Sequence, residues 1–175
     1  MHTTEHSTEH STEHPSGHPG LHPSQPAGYT IEPTEAVTMI GLELRTSNAE
    51  AFRTIPAHWQ RFTAERVLDR ITPRPSDSVF AAYTRFEHEG RDNEGTYSLV
   101  IGAAVPPGTP VPEGLTRVEL PAQRCAVFEV ERGRHDKVGE AWRMIWQHAD
   151  LPKSYRCEHE RYDTDGRIRI FVGLR

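Results

Sequence analysis

Short stretches of apolar and β-branched residues alternate along the chain with two longer segments in which apolar residues recur at helical spacing. The strand-like stretches are 36–45, 79–86, 96–105, 116–120, 124–130, 155–162 and 167–173. In the first helical segment Trp59 and Phe62 fall on one face, and the second segment runs from about 136 to 148. We expect Pro56 to split the first segment into a short turn and a main helix that ends near 66–69. The pattern therefore predicts seven strands and two helices.

The order strand, helix, strand, strand occurs twice, at about 36–105 and again at about 115–175. Each copy ends in two strands joined by a polar turn, which is typical of an antiparallel hairpin. The copies also match in sequence, because Val100–Gly102 corresponds to Phe171–Gly173. Neither copy can bury its own sheet. We therefore predict an α+β fold of two pseudo-symmetric βαββ modules with antiparallel sheets, each covered by a helix, that form a central ligand cleft.

The first 28 residues differ from the rest, because they contain no Phe, Trp or Tyr and no Lys or Arg. Such a segment cannot offset an ordering entropy of about 1–2 kcal/mol per residue, so we predict a disordered tail at 1–28 and one folded domain at 29–175. Six histidines recur there at every fourth position: His2, His6, His10, His14, His18 and His22. Imidazole suits Zn, Ni and Cu, so this tail is expected to bind metal weakly. For the domain itself we expect no metal site and no cofactor.

Charge and cysteine content exclude several classes of protein. The formal net charge is −5, and no cluster of Lys and Arg marks a surface for phosphates, which argues against direct binding to nucleic acid. The sequence contains no run of 18 apolar residues, which is the length needed to span a membrane. No apolar segment near residue 1 resembles a secretory signal. Cys125 and Cys157 are too few for a disulfide scaffold. We expect a cytoplasmic protein that binds no membrane, and leave open whether it has a protein partner.

Several segments carry a resemblance to a known family. They are Ile40–Arg45, Ile55–Phe62, Tyr97–Gly102, Ala126–Val130, Ala141-Trp142 and His159–Asp163. In this order and spacing they resemble the GyrI-like, or AraC-type, effector-binding domain of bacteria, over Val37 to Arg175. The resemblance implies a tandem βαββ fold whose cleft takes small molecules, often cationic and aromatic. Many members carry a helix-turn-helix reader of DNA. Because the tail is too polar to form one, we predict an effector-binding domain without its own DNA-binding domain.

The resemblance also implies a position for the ligand site. The family has a cleft glutamate on its penultimate strand, and Glu160 matches it, although His159 stands where the family usually has an aromatic residue. Strand alternation places Glu158, Glu160 and Tyr162 on one face. The repeat also matches Arg85-Phe86 with Arg161-Tyr162, which makes Thr84 the counterpart of Glu160, so we expect the cleft to hold a carboxylate from one half only.

A carboxylate inside an aromatic cleft is costly unless it is protonated, hydrogen-bonded or met by a cation. Aromatic faces add roughly 0.5–2 kcal/mol each through cation–π contact. These properties predict a ligand that is lipophilic and cationic or aromatic. The predicted ligand-binding residues are Glu160, Tyr162, Tyr83, Trp59, Trp142 and Trp146. At helical spacing Trp142 and Trp146, like Trp59, are more often core than cleft residues, and one of the two could lie in the core with the other in the cleft. Glu160 could instead be a solvated strand residue paired with an Arg.

We interpret the chain as a non-catalytic module that binds small molecules, and two alternatives stay open. In the first, it is a hydrolase of strained or electrophilic compounds, as some standalone relatives of the fold are, with Glu160 as the general base beside Tyr162. Against this, the sequence offers no obvious second acid, nucleophile or metal cluster. In the second, it inhibits DNA gyrase, as the namesake of the family does.

Overall fold

The computed structural model describes residues 28–175. In chain order the elements are β1 (Tyr29–Thr34), β2 (Val37–Ser47), α1 (Ala51–Ala64), α2 (Val67–Arg70), β3 (Val79–Thr84), β4 (Thr96–Ala104), β5 (Thr116–Leu120), β6 (Gln123–Val130), a single 3-10 turn (His135–Lys137), α3 (Val138–Gln147), β7 (Lys153–Tyr162) and β8 (Ile168–Leu174). The predicted disorder of the tail, and the weak metal affinity of its six histidines, concern residues outside the described part of the chain.

All seven predicted strands are present, each with bounds within two residues of those read from the sequence. Strand β1 is additional. It directly follows the polar tail and contains Pro33, which lowers its local resemblance to a strand. Because β1 lies at the edge of the sheet and pairs on one side only, Pro33 is tolerated opposite Arg124.

The eight strands form one antiparallel sheet in the order β1-β6-β8-β7-β3-β4-β2-β5. The two predicted modules meet edge to edge, because β3 of the first pairs with β7 of the second. β1 precedes the first module but pairs with β6 of the second, and β5 precedes the second but pairs with β2 of the first. The modules therefore share a single sheet, and each completes the edge of the other.

Two short connections require this sheet to curl. Two residues separate β1 from β2, and two separate β5 from β6, although each pair lies six positions apart in the sheet order. In a flat sheet that separation would be about 29 Å, whereas the linking residues reach at most about 11 Å. The edges therefore come together, and the enclosed inner surface is buried without a covering helix. Met39, Phe80 and Val100 are among its residues.

Helices α1 and α3 pack on the outer surface of the curled sheet. α1 buries Phe62 against the strands of the first module, and α3 buries Trp142 and Ile145 against those of the second. Tyr83 and Tyr162 contact both of these clusters, because they lie where β3 and β7 join the modules. A groove consequently runs between the two helices, above the junction. No helix within residues 28–175 is both long and apolar enough to cross a membrane.

Helix α1 is continuous through Pro56, so the predicted split at that residue is wrong. Pro56 removes only the hydrogen bond to the carbonyl of Phe52, near the beginning of the helix, where the side chain of Phe52 is exposed. The break comes instead at Arg66, which has a left-handed φ of 50° and separates α1 from the single turn of α2. The whole of α1 can therefore form one wall of the groove.

Candidate functional site

The groove between α1 and α3 contains a cavity of about 750 Å³. Its floor is formed by β3, β4 and β7, and its walls are formed by the two helices. All six residues predicted to bind ligand line it: Glu160, Tyr162, Tyr83, Trp59, Trp142 and Trp146. The sequence thus placed these side chains around one cavity correctly, and their role in binding stays a prediction.

Glu160 occupies the centre of the cavity floor. Cross-strand pairing places it in a row with Ile170 and Phe128 on one side, and Ala81, Ile101 and Leu42 on the other. Paired residues share a face of the sheet, so Glu160 is the only charged member of an apolar row. Only 2% of its surface is exposed. The alternative of a solvated Glu160 paired with an Arg is therefore wrong.

Three side chains donate hydrogen bonds to the Glu160 carboxylate. The hydroxyl of Tyr83 and the indole Nε1 of Trp142 both donate to Oε1, at 2.6 Å and 2.5 Å. The hydroxyl of Tyr162 donates to Oε2 at 2.5 Å. Burial raises the pKa of Glu160, while the three hydrogen bonds act in the opposite direction by favouring the ionised form. This arrangement holds a carboxylate ready to face a positive charge.

Aromatic rings enclose this carboxylate. Trp59 meets Tyr162 edge-on with ring centroids 5.3 Å apart, and Tyr83 meets Trp142 in the same way at 5.2 Å. His135, which the sequence analysis did not select, stacks on Tyr162 at 5.4 Å. Burial and the nearby Glu160 raise the pKa of both tyrosines well above 10, so their hydroxyls stay neutral donors. The rings and hydroxyls together form an apolar enclosure with one negative centre.

Trp142 and Trp146, both on α3, differ in how deeply they are buried. Trp142 is buried and belongs to the core cluster under α3, yet its Nε1 reaches Glu160, so it serves both packing and the cavity. Trp146 is 42% exposed and lies at the mouth, 6.2 Å from Trp142 between ring centroids. Phe52 of α1 also lines the cavity and is 82% exposed. The mouth therefore presents exposed aromatic surface from both helices.

Glu158 is a second carboxylate in the cavity that the sequence analysis did not include in the site. Its side chain shares the cavity face of β7 with Glu160, as strand alternation predicted, and only 5% of its surface is exposed. No donor within residues 28–175 makes a hydrogen bond to it. Burial raises its pKa to about 7, and the positive charge of Lys153 lowers it slightly. The expectation of an acid from one half only is met, but that half supplies two.

The predicted equivalence of Thr84 and Glu160 is wrong. Ala81 lies directly opposite Glu160, and Tyr83 lies directly opposite Glu158. Thr84 is paired with Cys157 and therefore points to the inner surface of the sheet, away from the cavity. The equivalence rests on matching Arg85-Phe86 with Arg161-Tyr162. The offset between β3 and β7 in that match differs by an odd number of residues from the offset that places cavity-facing residues on both strands, so it exchanges the two faces of the sheet.

Within residues 28–175, one group of side chains converges as metal ligands could. His88, Asp92 and Glu94 have potential ligand atoms within 4.8 Å of one another, which the sequence analysis did not anticipate. His88 Nδ1 and Asp92 Oδ1 lie 2.7 Å apart, and Asp92 also accepts a hydrogen bond from the amide of Glu94. These contacts account for the group as a stabilised turn, separate from the cavity.

Comparison with known proteins identifies what this arrangement is similar to. A family described as an integron-associated effector-binding protein, Cass2, matches residues 30–172. The transcriptional regulator BrlR of Pseudomonas aeruginosa is 29% identical over 130 residues, which covers 57% of this chain and 48% of the regulator. The chain thus spans about half the length of this curated relative.

Two solved structures have the same fold. An integron cassette protein from the mobile metagenome of Vibrio cholerae superposes with a TM-score of 0.67 at 19% identity, covering 85% of this chain and 97% of that one. The SAV2435 protein, solved bound to tetraphenylphosphonium, also gives 0.67, at 16% identity, covering 84% and 93%. These matches confirm the predicted α+β fold class.

Proposed function

The chain belongs to the family of integron-associated effector-binding proteins, and we propose that its ligand is a lipophilic aromatic cation held at Glu160. Membership confirms the resemblance to GyrI-like effector-binding domains and supports small-molecule binding as the general function. The observation that carries the finer proposal is the buried Glu160 carboxylate, which accepts hydrogen bonds from three aromatic side chains in a cavity lined by further aromatic rings.

The charge balance of the cavity supports a cation rather than an anion. Two buried carboxylates, Glu158 and Glu160, line it. The basic groups on its lining are Arg143, which is exposed, and His135. A positive charge between the rings would gain attraction from both acids, which is stronger near buried groups than in bulk water. It would also gain cation–π contact with Trp59 or Trp142, at roughly 0.5–2 kcal/mol each.

Binding without turnover is supported by the same hydrogen bonds. A general base must accept a proton from its substrate, and three donors already occupy three of the roughly four acceptor positions of the Glu160 carboxylate. Glu160 is therefore suited to electrostatic recognition. The hydrolase alternative is favoured by one observation only, the second acid Glu158 with its pKa of about 7. Incubating the protein with an electrophilic cyclopropane substrate, and following product by chromatography, tests that alternative.

We further propose that residues 28–175 do not contact nucleic acid directly. Most of the arginines in this part of the chain are neutralised by neighbours, as in the pairs of Arg61 with Glu65 and Arg161 with Asp163. Such pairing argues against a continuous basic surface of the kind that releases counterions from DNA. Inhibition of gyrase stays an untested alternative.

Tetraphenylphosphonium is a suitable probe, since a protein of the same fold was solved bound to it. The three tryptophans of the chain, Trp59, Trp142 and Trp146, all line the cavity, so intrinsic fluorescence reports on occupancy. We expect saturable quenching by the wild type, and at least tenfold weaker binding by Glu160→Gln. Glu113→Gln removes an exposed charge away from the cavity and should bind like the wild type. Equal affinity in Glu160→Gln and the wild type would refute the proposal.

A further inference from the structure

Glu158 is buried at one end of the cavity without a partner. It lies between Tyr83 on β3 and Val172 on β8, and no donor in residues 28–175 makes a hydrogen bond to it. The nearest source of positive charge, Lys153, donates from Nζ to the carbonyl oxygen of His148 instead. An unpaired carboxylate in such a place costs free energy that a ligand can recover. The cavity lining therefore includes one carboxylate that accepts no hydrogen bond from residues 28–175.

The two acids of the cavity differ in what they can still accept. Each carboxylate oxygen accepts about two hydrogen bonds. Oε1 of Glu160 already has two donors and Oε2 has one, and the three rings that supply them line the same cavity. Glu158 keeps its full capacity and lines the same cavity. Glu160, with most of its acceptor positions used, thus supplies mainly negative potential, whereas Glu158 is free to accept hydrogen bonds from a ligand donor.

The surroundings of Glu158 suit a polar group on the ligand. Tyr97 and Asn93 line the cavity along with it. Burial, followed by the charges of Glu160 and Glu158, raises the pKa of Tyr97 to about 12, so its hydroxyl is neutral. No hydrogen bond joins that hydroxyl to any group of residues 28–175. The Glu158 end consequently offers an anionic acceptor and a free hydroxyl, in contrast to the aromatic enclosure of Glu160.

We propose that Glu158 selects, among lipophilic aromatic cations, those whose positive nitrogen carries N–H groups, by accepting a direct hydrogen bond from that nitrogen. The preferred ligand class is then protonated amines and amidines, rather than quaternary ammonium or phosphonium ions. The inference rests on the proposed function, which supplies the cation. Glu158 and Glu160 are two residues apart on an extended strand, roughly 7 Å between Cα atoms. An aromatic ring in the enclosure of Glu160 can therefore carry an amine on a short linker to Glu158.

A matched pair of probes separates a hydrogen bond from simple charge. 3,3-Diphenylpropylamine and its N,N,N-trimethylammonium derivative share the aromatic groups and the charge, and only the amine has N–H donors. Titration calorimetry at pH 8 compares the wild type, Glu158→Gln and the surface control Glu113→Gln. We expect Glu158→Gln to weaken amine binding at least tenfold and trimethylammonium binding less than threefold. The control should leave both affinities unchanged.

Each other outcome has a defined meaning. Equal losses for the two probes would mean that Glu158 acts through charge alone, and no loss for either would mean that it does not contact ligand; both results overturn the inference while the proposed function stands. Failure of the wild type to bind either probe, or tetraphenylphosphonium, would overturn the proposed function and the inference with it.

A second measurement needs no variant. Several charged or titratable groups surround Glu158, on the neighbouring elements or on the same cavity wall. They are Lys153, Tyr83, Tyr97, Arg143 and His135. Burial raises the pKa of Glu158 to about 7. Burial also raises the pKa of Glu160, but the two probes share any effect of that acid. Wild-type affinity for the amine should therefore fall up to tenfold per pH unit between pH 7 and pH 5, and affinity for the trimethylammonium probe should fall less. Parallel pH profiles for the two probes would contradict the inference.

Discussion

Glu158 and Glu160 lie two residues apart on one face of β7, yet Glu160 accepts three hydrogen bonds and Glu158 accepts none from residues 28–175. Tyr83 accounts for part of this difference. It lies directly opposite Glu158, but its hydroxyl reaches along the strand to Oε1 of Glu160. Strand pairing alone would make Tyr83 a donor to Glu158, but its hydroxyl donates to Glu160 instead.

The first prediction concerns stability and pH. Burial raises the pKa of Glu158 to about 7 in the folded protein, above about 4.3 in the unfolded chain. Between these values the folded state holds a proton that the unfolded state has lost, so this group's contribution to stability falls as pH rises. Relative to the wild type, Glu158→Gln should therefore gain up to about 1.4 kcal/mol per pH unit from pH 4.5 to 7, and nothing further above pH 7. Urea unfolding at pH 5, 6, 7 and 8 measures this, and a constant difference across that series would contradict it.

The second prediction concerns His159 on the inner surface of the sheet. Its ring stacks on Phe171 at 4.4 Å and on Phe80 at 5.9 Å, and its buried Nδ1 has no hydrogen-bond partner. Burial, with the nearby Arg161 and Arg169, lowers its pKa to about 3. His159→Phe removes the unsatisfied nitrogen and should stabilise the protein by about 1–2 kcal/mol at pH 7.

The sign of the pH effect at His159 is opposite to that at Glu158. Below pH 6.5 this histidine is protonated in the unfolded chain but stays neutral in the folded protein, because its pKa there is about 3. The wild type therefore loses stability as pH falls toward 3. The advantage of His159→Phe should consequently increase between pH 7 and pH 5, as measured by thermal unfolding. An advantage that shrinks at pH 5 would show that the histidine is protonated in the folded state.

The third prediction compares two glycines that correspond in the sequence repeat. A Cβ at Gly102 would collide with the backbone carbonyl of Ile40 on the paired strand, whereas a Cβ at Gly173 would lie 2.6 Å from the Ser154 hydroxyl oxygen. A serine side chain can rotate away, but a paired strand cannot. Gly102→Ala should cost more than about 3 kcal/mol, and Gly173→Ala clearly less. Equal losses in chemical unfolding would mean that the strands at Gly102 can separate.

The fourth prediction concerns the mouth of the cavity. Phe52 lines it and is 82% exposed, so Phe52→Ser should leave the unfolding free energy within about 0.5 kcal/mol. The same change removes aromatic surface from the entrance and should weaken binding of tetraphenylphosphonium three- to tenfold. Met144→Ser is the matched control, since Met144 is exposed on α3 but does not line the cavity. Similar affinities in the two variants would exclude a role for Phe52.

The sequence predicts much of this molecule because local periodicity determines which face a side chain occupies. Alternation placed Glu160 and Tyr162 together on β7, and helical spacing directed Trp59 and Trp142 toward the sheet, so all were found at one cavity. Pairing between distant segments has no local signal. The partner of β1 and the curl of the sheet were therefore not predicted.

Properties that depend on several residues at once were also missed. Glu158 could be assigned to the cavity face, but its lack of a donor follows from the path of the Tyr83 side chain. Pro56 was expected to break α1, because the sequence shows that a hydrogen bond is lost there. It does not show that the carbonyl left without a partner belongs to Phe52, an exposed residue near the beginning of the helix. In each case the outcome depends on three-dimensional neighbours that lie far away in sequence or across a strand.

The exchange of β1 and β5 between the modules has a consequence for how this architecture can arise. A single repeat standing alone would leave two strand edges unfilled, and it could fill them only by forming a homodimer in which the copies trade their first strands. In such a dimer every residue near the two-fold axis would occur twice, once from each copy. Fusion of two repeats that then diverged removes that restriction, and it permits a lone acid to face an alanine across the centre, as Glu160 faces Ala81.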